Sequence, residues 1–388
     1  MASVRVESVA IRGIVSSVPD RVRTAQQDAE RFGAEEMERV VKNLGVTRRA
    51  VAEHLCTSDL CIAAAEDLLA KLGWAKDSID VVVLVTQTPD YPSPSTACFV
   101  QNRMGLPKGT IAFDINLGCS GYTYGLMVVG KMLAGGSLKR ALLLSGDTIS
   151  RTASPYDRST SPLFGDGGSA TALEYSPEAP PILFEAGTDG AGAIHLHTLA
   201  GGTKHPVREP DHTVAERRDG VIRSNLHTYM NGAEVLTFAI QSVPAMCTAL
   251  LAANQWKDAD VDYYVFHQAS RFMLRNIGRC LRIPAASPKL VFGLEGYGNT
   301  SCASIPVAIN DQLRQLADTS ANVVLGGFGI GYSWCAAAVK LGPIYAPPVL
   351  RVPDVAHVGE LDAMREHEVV GAPMPKEPIG LVPPVKSS

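Results

Sequence analysis

The chain has 388 residues, which at about 150 residues per domain suggests two to three domains and a large buried core. Lys and Arg number 35 against 39 Asp and Glu, a net charge of −4, so the basic excess that nucleic-acid binding needs is missing. The eight Cys form no CxxC pair and no zinc-type spacing, so reduced thiols in a cytoplasmic protein are expected, with no metal centre. Charges at Arg5, Glu7 and Arg12 interrupt any signal-peptide core, and alternation over 1–22 predicts a first strand. No apolar run approaches the ~20 residues needed to span a bilayer, so no membrane segment is expected.

Residues 57–73 predict a helix, with Thr57 or Ser58 to cap it and Gly73 to end it, and 80–85 predict a strand. A strand over 110–115 and a helix over 122–134 flank the turn Asn116-Leu117-Gly118-Cys119-Ser120-Gly121. Residues 204–228 read as a polar excursion from the core. The last stretch, 343–388, holds nine of the 25 Pro and reads as an extended tail, with 361–368 its one helical candidate.

A repeat underlies this order. Residues 68–88 align without gaps with 250–270 at an offset of 182, and the matches include Trp74 with Trp256 and Asp80 with Asp262. Any two helix-strand units share Leu, Ala and Val, but Trp and Asp at equal spacing favour duplication. The same offset aligns 141–144 with 323–326 and sets Cys119 opposite Ser301. Two similar α/β halves packed face to face follow from it.

Three residues sit where such a repeat would place chemistry. Cys119 lies at a strand-to-helix turn, where a helix dipole favours thiolate and flanking Gly permits close substrate approach. Taken alone, a lone Cys in an α/β protein is more often a small core hydrophobe. His267 lies where a strand gives way to a helix, which a buried structural His would also do, and Asn299 lies in a Gly-flanked loop, which suits a turn residue. The repeat brings these loops to equivalent places around one centre, and the combination outweighs the single residues. His195 and His197 form an HxH pair, read as one face of an edge strand over 193–198 and not as metal ligands.

With the Cys motif at 116–121, the motifs Asp157-Arg158-Ser159-Thr160, Leu163-Phe164-Gly165-Asp166-Gly167-Gly168, His267-Gln268-Ala269, Gly298-Asn299-Thr300-Ser301 and Gly326-Gly327-Phe328-Gly329 occur in order. Over roughly 5–341 the chain resembles thiolase-superfamily condensing enzymes, most closely β-ketoacyl-acyl-carrier-protein synthase III and its secondary-metabolism relatives. The resemblance implies a thiolase-like α/β fold of two duplicated halves in a five-layered αβαβα arrangement. Those halves would be 1–178 and 179–341, with an insertion near 200–227 and a Pro-rich extension at 342–388. A homodimer and an acyl-carrier-protein partner are implied as well. No cofactor is, since acyl-CoA or a phosphopantetheinyl carrier protein is the substrate.

Carried over residue by residue, the resemblance makes Cys119 the acylated nucleophile, with His267 and Asn299 as its partners. The oxyanion hole falls to the backbone N–H of Cys119 and one from Gly329 or Ile330, and the reaction implied is decarboxylative Claisen condensation. The alternative is transfer of the acyl group from Cys119 to a hydroxyl or amine, but an Asn at 299 donates without ionising and so favours carbon–carbon bond formation. A Cys-His-Asn hydrolase and a non-catalytic carrier-binding subunit are further readings of the same residues.

The departures also carry expectations. The place of a Trp that stacks on coenzyme A in relatives holds Arg39, and a nearby Arg is replaced by Asn43. A bulky Phe that reaches the partner's acyl pocket aligns with Ser93, which with Phe328 predicts an acyl pocket for chains longer than acetyl. No Glu occurs at 86–88, where some relatives keep a general base. Ser270 replaces an Asn expected at the pantetheine arm. Arg271, Arg275, Arg279 and Arg282, spaced four, four and three apart, form a basic stripe; it is either a solvated helix face or a docking surface for an acidic carrier protein.

Overall fold

The computed structural model describes residues 1–355. The predicted helix at 57–73 and those around the three candidate residues form, and eight α-helices are described in all. They are α1 Ala25–Phe32, α2 Ala34–Leu44, α3 Thr57–Leu72, α4 Thr96–Arg103, α5 Gly121–Leu133, α6 Gly232–Asn254, α7 Arg271–Cys280 and α8 Ser304–Gln312. Gly73 ends α3 in the left-handed conformation, as expected, while the N-cap is Cys56, one residue ahead of the predicted Thr57.

Two sheets stack with helices between and outside them. The first runs in the order Leu350–Val352, Val9–Pro19, Gly167–Tyr175, Arg140–Asp147, Val81–Val85, Ile111–Ile115. The second runs Ala2–Val6, Ile182–Thr188, Ser333–Leu341, Ala321–Gly329, Tyr263–Phe266. Helices α5 and α8 fill the space between the sheets, within one apolar cluster that includes Val83, Tyr122, Leu126, Ile305, Ile309 and Val323. Helix α3 with α4, and α6 with α7, cover the two outer faces. The fold is thus the five-layered αβαβα thiolase arrangement, and the run of fully buried residues in Val81–Val85 is what a parallel strand covered on both faces requires.

The 182-residue offset is visible in the backbone. Val81 pairs with Ala141 in a parallel ladder, and Tyr263 pairs with Val323 in another. The Asp80 carboxylate accepts the Arg140 N–H at 3.1 Å, and the Asp262 carboxylate accepts the Asn322 N–H at 2.8 Å. Trp74 N–H donates to the Leu69 carbonyl as Trp256 N–H does to that of Leu251. The matched Trp and Asp residues therefore hold the same corner twice.

Strand pairing crosses the boundaries expected from sequence. Ser8, with φ of 59°, splits the single predicted first strand, sending Ala2–Val6 into the second sheet and Val9–Pro19 into the first. Residues 343–354, predicted as extended tail, return to the first sheet, where Leu350–Val352 pairs in parallel with Ser17–Pro19. Tyr345 exchanges backbone bonds with Arg12 and Ile14, and the Asp354 carboxylate accepts the N–H groups of Glu53, His54 and Leu55. Residues 1–354 thereby make one compact unit. The helical candidate at 361–368 lies outside the described residues.

One expectation needs correction. Helix α6, 23 residues with mean hydropathy 1.7 over its most apolar window, is long and apolar enough to cross a membrane. Its apolarity has a packing cause, since Val235, Phe238, Ala239, Val243, Met246 and Leu250 are buried in the cluster that covers the second sheet.

Ile344 and Ala346 are each only 5% exposed in the central core. A chain ending at 342 should therefore be less stable than one ending at 354 by about 2–3 kcal/mol from the lost burial. Thermal unfolding of the two should differ by roughly 5 °C, at the ~2 °C per kcal/mol of a large domain; equal midpoints would show that the returning segment is only draped.

Candidate active site

Cys119, His267 and Asn299 all open onto one cavity of about 490 Å³. Each stands at the end of a strand or in a loop that feeds a helix: Cys119 before α5, His267 between Tyr263–Phe266 and α7, and Asn299 before the short 3-10 turn Ser301–Ala303 that leads into α8. The sequence offset that sets Cys119 opposite Ser301 becomes proximity, for both line the cavity and the Ser301 hydroxyl favours the charged form of the thiol.

Cys119 is 9% exposed, and burial pushes its thiol up to about 11, with the nearby Asp147 carboxylate acting in the same direction. The Ile330 N–H and the Ser301 hydroxyl oppose that shift. A helix dipole at this turn favours thiolate, but it contributes only about 0.3–1 kcal/mol, up to ~2 when partly buried, and desolvation wins. The backbone opposite is confined by the same closeness: a Cβ on Gly329 would sit 2.9 Å from the sulfur, and one on Gly327 would sit 2.7 Å from the Ser120 Cα. Glycine at 327 and 329 is what lets strand Ala321–Gly329 and the Ile330 N–H approach the thiol.

His267 is 2% exposed, and burial pushes its pKa down to about 3, so the ring is neutral at physiological pH. Its Nδ1 lies 2.7 Å from the Ser304 hydroxyl oxygen, which also accepts the Gln268 N–H at 3.3 Å. A hydroxyl can donate to Nδ1 or accept from it, so Ser304 serves either tautomer. Phe328 meets the imidazole edge-on, 5.7 Å between ring centres.

Asn299 is held on both sides. Its backbone N–H donates to the Leu163 carbonyl and its carbonyl accepts the Gly165 N–H, while its side-chain Oδ1 accepts the Ser301 N–H at 2.9 Å. With Oδ1 occupied, the amide Nδ2 is the group left to serve the cavity. The Leu163-Phe164-Gly165 motif thus has a positioning duty, and a Cβ on Gly165 would overlap the Tyr297 carbonyl oxygen.

The remaining expectations divide. Phe328, Gly329, Ile330 and Ser270 line the cavity. Ser270 also caps α7, accepting the Met273 N–H at 3.1 Å. Arg271 pairs with Glu295 at 3.0 Å, while Arg275 and Arg279 are exposed on the same helix. Arg39 turns to Glu35 and Glu36 on its own helix, and Val40, Asn43 and Leu44 line the cavity instead. Ser93 is exposed and lies outside its own chain's cavity, ahead of α4; the role expected of it concerns a second subunit. His195 and His197 do not share a strand face, because the strand begins only at Leu196 and His195 ends a 3-10 turn, stacked on Tyr332. No cluster of three metal-type ligands occurs among the described residues.

Two residues carry no sequence signal of their own. Ser304 is one. The other is Gln87, which lines the cavity and donates its amide to the Ser301 hydroxyl at 3.0 Å. Being an amide, it cannot act as a base, and no Glu stands beside it at 86–88. The buried Asp147 carboxylate accepts the Gln87 and Thr88 N–H groups and the Thr86 and Thr88 hydroxyls, and so fixes this loop.

Because the Cys119 thiol is raised to about 11, its thiolate fraction should grow about tenfold per pH unit from 7 to 10. Alkylation of Cys119 by iodoacetamide, followed by intact mass, should rise with that slope. A plateau below pH 8 would mean that the dipole and N–H donors overcome burial.

Residues 113–190 match the family described as 3-oxoacyl-[acyl-carrier-protein (ACP)] synthase III, and residues 251–341 match its C-terminal region. The β-ketoacyl-[acyl-carrier-protein] synthase III of Desulfitobacterium hafniense strain Y51 is 35% identical over 337 residues, 86% of this chain and 98% of the relative. That of Campylobacter curvus is 32% identical over 331 residues, 85% of this chain and 96% of the relative. The crystal structure of a 3-oxoacyl-(acyl-carrier protein) synthase from Burkholderia xenovorans LB400 superposes with a TM-score of 0.85 at 39% identity, covering 90% of this chain and 99% of the other. The chain belongs to the β-ketoacyl-[acyl-carrier-protein] synthase III family.

Proposed function

We propose that the chain primes fatty acid or polyketide synthesis by decarboxylative Claisen condensation on a carrier protein. The observation that carries this reading is the convergence of Cys119, a neutral His267 and an Asn299 whose Oδ1 is already occupied on one largely apolar cavity. Cys119 attacks an acyl thioester, and its proton passes through the neutral His267 to the thiol that leaves; the ring is then neutral again and takes its Nε2–H tautomer with the Ser304 hydroxyl donating to Nδ1. The oxyanion takes hydrogen bonds from the backbone N–H of Cys119 and from that of Gly329 or Ile330. The acyl chain lies against Leu163, Phe164, Leu196, Met230 and Phe328. After the first thiol leaves, a malonyl-type thioester enters and releases CO2. His267 Nε2–H and Asn299 Nδ2–H then hold the enolate oxygen while its carbon attacks acyl-Cys119.

Ser270, at the cavity and at the start of α7, would meet the pantetheine arm, and the exposed Arg275 and Arg279 along the same helix would meet the acidic carrier protein. Ser93 belongs in this proposal to a homodimer, in which its small side chain would leave room in the partner's pocket for primers longer than acetyl.

Two measurements test this reading. Asn299→Asp should still be acylated at Cys119 by intact mass, yet release CO2 from labelled malonyl carrier protein at least about a hundredfold more slowly, the scale of losing one oxyanion-type donor. Unchanged CO2 release would remove Asn299 from the enolate site. Charge reversal at Arg275 and Arg279 should raise KM for carrier-bound substrate by about tenfold or more while leaving a small thioester analogue unaffected; equal effects on both would remove the docking surface.

A further inference from the structure

The paired strands Leu196–Thr198 and Thr228–Met230 separate two cavities. Strand alternation turns Leu196, Thr198, Thr228 and Met230 toward the catalytic cavity. Their neighbours His197 and Tyr229, register partners with rings 5.3 Å apart, face the opposite side. There they line a second cavity of about 250 Å³ together with Arg217, Arg223, Ser224 and His227 from the insertion. This space takes no part in the condensation described above.

Its charges do not balance internally. Arg223 is matched, holding Asp219 with both terminal nitrogens at 2.8 and 3.0 Å and lying over the Tyr229 ring. No carboxylate lines the cavity itself, and of the insertion's other acidic residues Asp211 is taken by His205 and Asn225, while Glu209 and Glu216 form no ion pair with Arg217. Arg217 donates only to backbone carbonyls, that of Arg223 at 3.0 Å and that of Thr213 at 3.5 Å, and meets no carboxylate among the described residues. The Nδ1 of His197 is buried without a hydrogen-bond partner. His227 accepts the Ser224 N–H on its Nδ1 at 3.0 Å, so its proton is on Nε2 and available to donate. An uncompensated guanidinium, a buried imidazole nitrogen without a partner and a second imidazole N–H around one small cavity ask for an oxygen-rich anion.

We propose that this outer face of the ribbon is a binding site for a phosphate group, held by Arg217, His197 and His227. A phosphate oxygen would accept from the Arg217 guanidinium and from the protonated tautomer of His197 Nδ1, and a second from His227 Nε2. Because the ribbon's other face is a wall of the catalytic cavity, occupancy would stiffen that wall. The group could be free phosphate or could be carried on a nucleoside.

Isothermal titration of the full chain at constant ionic strength, with inorganic phosphate in one arm and adenosine 3′,5′-bisphosphate in the other, tests the proposal. Wild type should bind phosphate saturably. Arg217→Gln should weaken binding by at least about tenfold, the expected effect of losing a charge-assisted pair, and His197→Gln by several-fold. The two substitutions lie on separate elements, so a folding defect in one leaves the other informative. Bisphosphate binding more than about tenfold tighter than phosphate would identify a nucleoside-borne group, and equal affinity would identify free phosphate. Absence of saturable phosphate binding, or affinity unchanged in both variants, would overturn the site.

Discussion

The close approach of strand Ala321–Gly329 to the turn at Cys119 is the constraint on which the rest of the site depends. A Cβ on Gly327 would lie 2.9 Å from the Cys119 carbonyl oxygen, and one on Gly329 would lie 2.7 Å from the Cys119 Cβ. Only backbone fits in that gap, and backbone is what supplies N–H donors there. The same approach brings the starts of α5 and of the Ser301 turn together, so that equivalent positions of the repeat meet at the nucleophile. Small residues follow along the seam: a side chain on Gly121 would strike Val85, and one on Gly125 would strike Leu143. Close packing of two buried helices between two sheets and close packing around the thiol are thus one requirement.

Burial that dense decides the protonation states. A thiol and an imidazole removed from water both resist charge, which raises the first and lowers the second. Cys119 and His267 therefore rest as a neutral pair. Polarity is supplied at fixed points by Ser301, Ser304, the Asn299 amide and the Ile330 N–H, each oriented by a backbone bond or by its place at a helix start. Asp147 is the buried carboxylate of this neighbourhood, and its hydrogen bonds go to the 86–88 loop, which it orders.

Much of this was legible in the amino-acid order, for reasons that can be named. Cys119 and Asn299 are flanked by glycines that only a tight turn or a close approach would keep, and His267 closes an apolar strand. The Trp and Asp of the repeat could be matched because each makes a local bond that recurs 182 residues on. What could not be read were relations set by tertiary partners. Alternation marks Ala2–Val6 as a strand but does not say that it joins the far sheet. The 23 residues of α6 look the same on composition whether they pack on a sheet or on lipid. The dipole at Cys119 is a local feature, whereas the burial that outweighs it comes from strands two hundred residues away. Nothing local in sequence distinguishes Ser304, whose contact with His267 spans 37 residues.

The division of the site between the repeats also has a consequence in time. The segment that covers Cys119, ending at Gly329 and Ile330, is made about 210 residues after it. At ribosomal rates of about 5–20 residues per second, that interval is roughly 10–40 s. Until its end the nascent chain carries the nucleophile without the glycine backbone at 327 and 329 and without the Ile330 N–H. The centre is therefore complete only once the strands Ala321–Gly329 and Ser333–Leu341 of the second sheet have been made.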